Sequence, residues 1–105
     1  MHDYETTIDV LRELDSQGVG SSHNQRLALL AIACAGEPIQ MGRVADRIGV
    51  SRGAMTTIID GLVDARLVKR IHDIGDRRVV HVEATRKALA AIARAEKSTS
   101  VEAAA

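Results

Sequence analysis

GRVADRIGVSRGAMTTIIDGLVDARLVKRIHDIGDRRVVHVEAT, residues 42–85, is the stretch whose reading decides the fold. Val44, Ala45 and Ile48 recur at helical spacing within 41–48, and Met55, Ile58, Ile59 and Leu62 stand at i, i+3, i+4 and i+7 within 52–65. Each segment is therefore a short helix with one side to bury. Between them, Gly49 tolerates the positive φ that a tight corner demands, and Ala45 is small where two steeply crossing backbones approach. Val50 is apolar beneath the corner, and Ser51 can cap the second helix. Small, glycine, apolar and capping positions all agree on a helix-turn-helix over 41–66.

From Leu67 the period changes to two. Leu67–His72 and Arg78–Glu83 read as two strands, and the tip between them carries Asp73, Gly75, Asp76, Arg77 and Arg78. Directly after a helix-turn-helix, such a hairpin reads as a wing over 67–84. Burial of Met55, Ile58, Ile59 and Leu62 leaves Arg52, Gly53, Thr56, Thr57, Asp60 and Gly61 for the opposite side of the second helix. That face is small and polar, as entry into a DNA major groove requires: threonine can bond to a base or touch a thymine methyl, and arginine can reach guanine. The glycines at 53 and 61 are expensive in a helix interior, by about 1 kcal/mol each relative to alanine. They point to something packing close.

Outward from this stretch, Asp3 can cap a helix over 4–16 with an apolar stripe of Ile8, Leu11 and Leu14, and Val10 to one side. Ser22 or Asn24 caps a second helix over 23–36, which is apolar nearly all round from Leu27 to Ala35 and is expected to be sandwiched between neighbours. Gly36 ends it, and Pro38-Ile39-Gln40 is extended. Thr85 caps a last helix over 86–97 with Leu89, Ile92 and Ala93 on one face, and residues 98–105 lack a pattern that could be buried, so a frayed tail is expected. The expected fold is mainly α with a small β-hairpin, a winged helix-turn-helix of order α-α-β-α-α-β-β-α, in one domain over 1–97.

Composition sets the boundaries of function. The 105 residues are 46% apolar, yet Tyr4 is the only aromatic, so aliphatic side chains must fill a single helical core. Cys34 is the one cysteine, which excludes an internal disulfide and fits a cytoplasmic protein; within LALLAIACA it is expected to be a small buried thiol. That nine-residue run is the longest apolar stretch, too short for a membrane. The histidines 2, 23, 72 and 81 are dispersed, without clustered Cys, Asp or Glu, so neither a metal nor another cofactor is expected. No nucleophile and base pair has local support, and catalysis is not expected. Net charge is zero but segregated: residues 1–17 hold five acids and one arginine, while 43–78 hold eight basic against five acidic side chains. Of the 14 basic residues 11 are arginine, whose planar fork suits phosphates and guanine edges.

The segment RVADRIGVSRGAMTTIIDGLVDARLVKRIHDIGDRRVVHVEAT resembles the winged-helix core of MarR-type transcriptional regulators. That family's pattern is an alanine-bearing helix, a GVSR turn, a recognition helix, L-V-x-R, then D-x-x-D-x-R at the wing and a threonine opening the next helix. The resemblance covers about residues 38–90, and LALLAIACAGEPI is similar to the family's second helix. It implies that Ser51, Arg52, Thr56 and Thr57 contact DNA, that Arg77 or Arg78 is the wing arginine, and that Asp76 is its partner. Gly53 on the same helix face and Arg43 on the preceding helix complete the expected DNA-binding set. Thr57 and Gly61 stand where the family often has basic residues, Arg66 where a helix-ending glycine is usual, and Ala84-Thr85 where Leu-Thr is common.

The family usually dimerises and forms its effector pocket through terminal helices, which are short here. A homodimer through the N- and C-terminal helices is expected, with a small-molecule effector left open. The expected function is sequence-specific binding of double-stranded DNA at a pseudo-palindromic operator, with repression by promoter occlusion. The alternative is a winged helix used for protein–protein contact, as adaptor or inhibitor, which zero net charge and a thinly basic recognition helix keep in view.

Overall fold

The computed structural model describes residues 4–72, 75, 76 and 78–104; the expected cap Asp3, and Asp73, Ile74 and Arg77 at the hairpin tip, lie outside them. The elements are α1 (Tyr4–Ser16), α2 (His23–Ala35), β1 (Ile39–Gln40), α3 (Met41–Ile48), α4 (Arg52–Asp64), β2 (Val68–His72), β3 (Val80–Ala84) and α5 (Arg86–Ala104). The fold is a winged helix-turn-helix in the expected element order. The strands form an antiparallel sheet of order β1-β3-β2, in which Ile39 faces Val82 and Arg70 faces Val82 from the other side. The extended link after Pro38 is thus a true strand, satisfied by the edge of the hairpin.

Local chemistry sets the helix ends. Ser22 is the N-cap of α2, its Oγ accepting from the Gln25 N–H at 3.1 Å, and Ser51 caps α4 in the same way through Ala54 N–H at 3.1 Å. Gly49 closes α3 at φ 77°, and both its own N–H and that of Val50 return to the Ala45 carbonyl. At the end of α4 the corresponding position is Arg66, held at φ 62°. There Leu67 N–H reaches the Leu62 carbonyl and Arg66 N–H reaches that of Val63, both at 2.9 Å, a Schellman closure built without glycine. A left-handed conformation costs a side-chain-bearing residue about 1–2 kcal/mol, partly offset by the greater unfolded-state freedom of glycine. Arg66→Gly is therefore expected to stabilise the protein by about 0.5–1 kcal/mol. Thermal unfolding checks this, and a lower midpoint would show that the arginine side chain matters more than its backbone.

The core runs through every helix, with Leu14, Leu29, Ile32, Val44, Met55, Ile59, Leu62 and Val82 fully buried. Two expected stripes are displaced. On α1 the buried residues are Val10, Leu11 and Leu14, while Ile8 is 51% exposed; on α5 they are Ala88, Ala91, Ile92 and Ala95, while Leu89 is 48% exposed and Ala93 is exposed too. The reason is that α1 packs on α5 within the chain, and an alanine face lets two helices approach more closely than a leucine face. The last helix also continues past its expected end at 97, to Ala104: the segment after Lys97 has no glycine or proline to break it.

The second helix is not covered on all sides. Ala28, Leu29, Ala31 and Ile32 are buried, Leu30 and Ala33 only partly, and Cys34 is exposed rather than buried. It lies at the lip of an apolar cleft lined by Val10, Leu30, Leu89 and Ile92. The other four helices and β3 pack on α2 and leave the edge carrying Cys34 open. Among the described residues no helix is long and apolar enough to cross a membrane.

Candidate nucleic-acid interface

With Met55, Ile58, Ile59 and Leu62 buried, α4 turns Arg52, Gly53, Thr56, Thr57 and Asp60 outward, all exposed. The two helix glycines separate here. A side chain at Gly53 would meet nothing within 4 Å, so that surface is open to an incoming partner. Gly61 is half-buried and faces inward: a Cβ there would collide with the Gln25 amide of α2, whose oxygen accepts from Ser21 N–H at 2.9 Å. Gly61 therefore leaves the expected outward face, and what packs close to it is the protein itself.

The two threonines differ as well. Thr56 Oγ1 donates to the Arg52 carbonyl at 3.2 Å, one helical turn back, whereas the Thr57 hydroxyl has no hydrogen bond among the described residues. Thr57 is the one whose bonding capacity is unspent. The Ser51 hydroxyl is committed to its cap, so any contact it makes must share that oxygen. Arg52 lies across the first turn of α3, its guanidinium carbon 3.3 Å from where a Cβ on Gly42 would sit. The absence of a side chain at 42 permits this.

The wing completes a groove. Arg78 N–H donates to Asp76 Oδ1 at 3.0 Å, Nε reaches the same oxygen at 3.3 Å, and Nη2 reaches Oδ2 at 3.5 Å. Asp76 thus shapes the tip of the wing and holds the Arg78 side chain, itself 92% exposed. Arg43, Asp46, Arg52, Thr56 and Arg78 line one groove of about 410 Å³ between the helix-turn-helix and the wing. Of the expected set, the structure gathers Arg43, Arg52, Thr56 and Arg78 there and puts Gly53 and Thr57 on the adjoining helix face; Arg77 lies outside the described residues.

A model of the MarR family matches residues 17–79, more than half of the sequence. The chain belongs to the MarR family. A mutant MarR from E. coli, in a crystal structure with operator DNA, is 25% identical, with a TM-score of 0.70 over 89% of this chain and 65% of that one. The transcriptional regulator BldR from Sulfolobus solfataricus is 29% identical, TM-score 0.66, over 89% of this chain and 65% of that one. A MepR mutant from S. aureus, bound to an oligodeoxyribonucleotide, is 15% identical but superposes with a TM-score of 0.75 over 94% of this chain and 70% of that one. At 15% identity the likeness speaks for the winged-helix fold alone. This MarR-family chain spans about two thirds of the length of these relatives. No curated protein matches its sequence significantly.

Sequence reasoning missed two supports of the MarR-type recognition helix. Arg70 on β2 forms an ion pair with Asp60 on α4. About one turn further on, where α4 ends, Lys87 Nζ donates to the Ala65 carbonyl at 2.9 Å and Thr85 Oγ1 to that of Arg66 at 2.7 Å, while the same Oγ1 accepts from Ala88 N–H at 3.2 Å. One threonine thus caps α5 and ties it to the end of α4. Lys87 also places a cation at the negative end of a helix that has no basic residue in its own last turn. The cap was legible from sequence; the ties join residues about 20 apart and have no local signature.

Proposed function

We propose that this protein is a sequence-specific, double-stranded DNA-binding transcriptional regulator. In this reading it acts as a cytoplasmic homodimer on a pseudo-palindromic operator and represses by occluding a promoter. The observation that carries the proposal is the groove in which Arg43, Arg52 and Thr56 of the helix-turn-helix meet Arg78 of the wing, beside the open, side-chain-free surface at Gly53. A recognition helix there would enter the major groove by its N-terminal half, with Arg52, Thr56 and Thr57 towards base edges, Arg43 on the phosphate backbone and the wing arginines over the adjacent minor groove. The helix-turn-helix over 41–66 and the wing over 67–84 act in this reading as one domain with the terminal helices. A family relative found with operator DNA, the E. coli MarR mutant, supports the same assignment.

The homodimer in this reading is supported by two side chains. Ile8 and Leu89 are the large apolar residues left exposed among the described residues, and they lie on α1 and α5, which pack together. A second copy laid isologously on that surface would cover both. It would also set two recognition helices about one DNA turn apart, about 34–36 Å.

Selection of binding sites from random double-stranded DNA is the test, followed by measurement of variants on the selected site. Thr57→Ala is expected to cost about 1–3 kcal/mol at particular base pairs and to relax preference there. Thr56→Ala, whose hydroxyl is already bonded, is expected to cost less, and Arg43→Ala to weaken every sequence alike. Uniform weakening by Thr57→Ala would remove α4 from base readout. A protein–protein winged helix, the alternative, predicts no salt-dependent DNA binding at all.

A further inference from the structure

The cations of the helix-turn-helix and the hairpin fall into two groups. Among the described residues Arg43, Arg47 and Arg52 of the helix-turn-helix form no ion pair, whereas Lys69, Arg70 and Arg78 are each held by a carboxylate, from Glu83, Asp60 and Asp76 respectively. Two of these pairs lie within the hairpin. The third crosses from sheet to recognition helix: Arg70 Nη2 on β2 donates to Asp60 Oδ1 on α4. Asp60 follows Thr57 by three residues and Thr56 by four, which puts it on the same outward face, and its side chain is 59% exposed against 28% for Arg70. The sequence of α4 offers only Arg52 as a cation, against Asp60 and Asp64. A carboxylate on this face opposes phosphate directly and also occupies Arg70, which reaches it from the sheet. A pair this exposed adds little to folding stability, so its effect is to be sought in binding.

We propose that Asp60 is a specificity-determining residue that withholds Arg70 from DNA phosphates. Sequence-independent affinity comes almost wholly from phosphates neutralised by basic side chains, and useful recognition depends on the ratio of specific to nonspecific binding. In a loose, nonspecific complex a freed arginine finds a phosphate easily. In the specific complex the contacts of α4 with base edges fix the helix, and a freed Arg70 has less liberty to reach one. Asp60 thereby keeps nonspecific affinity low at little cost to the operator complex.

The inference rests on the DNA-binding reading, and the experiment tells the two apart. Affinities of the wild type, Asp60→Asn, Asp60→Glu and Asp60→Asn/Arg70→Ala are measured over a range of salt on the selected site and on a random duplex of equal length. Asp60→Asn is expected to steepen the dependence of log affinity on log salt for the random duplex by about 0.9, equivalent to roughly five- to tenfold tighter binding near 0.1 M salt. The gain on the selected site is smaller, so the specificity ratio narrows. Asp60→Glu keeps the wild-type slope, and the double variant returns the random-duplex slope to about the wild-type value. An unchanged or shallower slope for Asp60→Asn, or equal tightening on both duplexes, overturns the proposal while leaving DNA binding in place. Wild-type protein that shows no salt-dependent binding to either duplex overturns the DNA-binding reading and this inference with it.

Discussion

Leu89→Glu should leave the protein folded but turn the proposed homodimer into a monomer that no longer holds a two-half-site operator, whereas Ile92→Glu, three residues on, should unfold it. The difference lies in burial alone. Leu89 is 48% exposed, so a glutamate there keeps its water, and in the monomer it costs almost nothing; in the dimer two carboxylates would meet across the isologous contact. Ile92 is 7% exposed within the α1 and α5 packing, and a glutamate at that site must lose its hydration without a partner. Replacing the core methyl groups adds about 2–5 kcal/mol to that penalty, a large share of the roughly 5–15 kcal/mol that holds a domain folded. Leu11→Glu, at 9% exposure on α1, belongs with Ile92→Glu, and Ile8→Glu, at 51%, belongs with Leu89→Glu.

Sedimentation and thermal unfolding measured together separate the two classes. The dimer reading is sunk if Leu89→Glu and Ile8→Glu both sediment as the wild type does and bind the selected operator with full affinity. It is sunk equally if the wild type is a monomer at micromolar concentration and saturates a single half-site. Losing one half-site should remove specific binding almost entirely, because two linked sites gain a factor of about 10²–10⁴ that neither has alone.

Arg78→Ala is the second large effect expected. The side chain is 92% exposed and, among the described residues, bonded only towards Asp76, so its removal should leave the unfolding midpoint nearly unchanged. If it reads or tracks an adjacent minor groove, each copy loses a contact of about 1–3 kcal/mol, and a dimer loses it twice. That is about 2–6 kcal/mol in all, so operator affinity should fall by roughly one and a half to four orders of magnitude. Arg77→Ala tests the other wing arginine in the same assay. If neither single variant nor the double variant weakens binding to the selected site, the wing has no part in recognition.

How much of this was legible beforehand depends on the range over which each residue acts. Ala45, Gly49 and Ser51 work within four residues of themselves: a small side chain at a crossing, a positive φ, a cap on the N–H three places on. Patterns of that range are written contiguously, so the helix-turn-helix, the cap at Thr85, a cap at Ser22 or Asn24, and the change of period into the wing could all be read directly. The family resemblance in the same stretch added candidate roles to Ser51, Arg52, Thr56, Thr57 and Asp76 that geometry alone does not assign. The sequence by itself therefore determined the element order and, Gly61 apart, the outward face of α4.

What only the tertiary structure decided concerns residues whose environment is another segment. Ile8 and Leu89 look like core by hydrophobicity, yet Val10 and the alanines 88, 91 and 95 take the interior because α1 and α5 approach closely. Cys34 sits in an apolar run, but whether it is covered depends on which edges of α2 its neighbours reach. Gly61 looked like a surface meant for DNA until Gln25 was found against it. The Arg70–Asp60 pair depends on how the sheet lies beside the recognition helix. Hydrophobic periodicity says that a helix has a side to bury but not what will lie against it, and burial, close approach and charge pairing are all properties of that second surface.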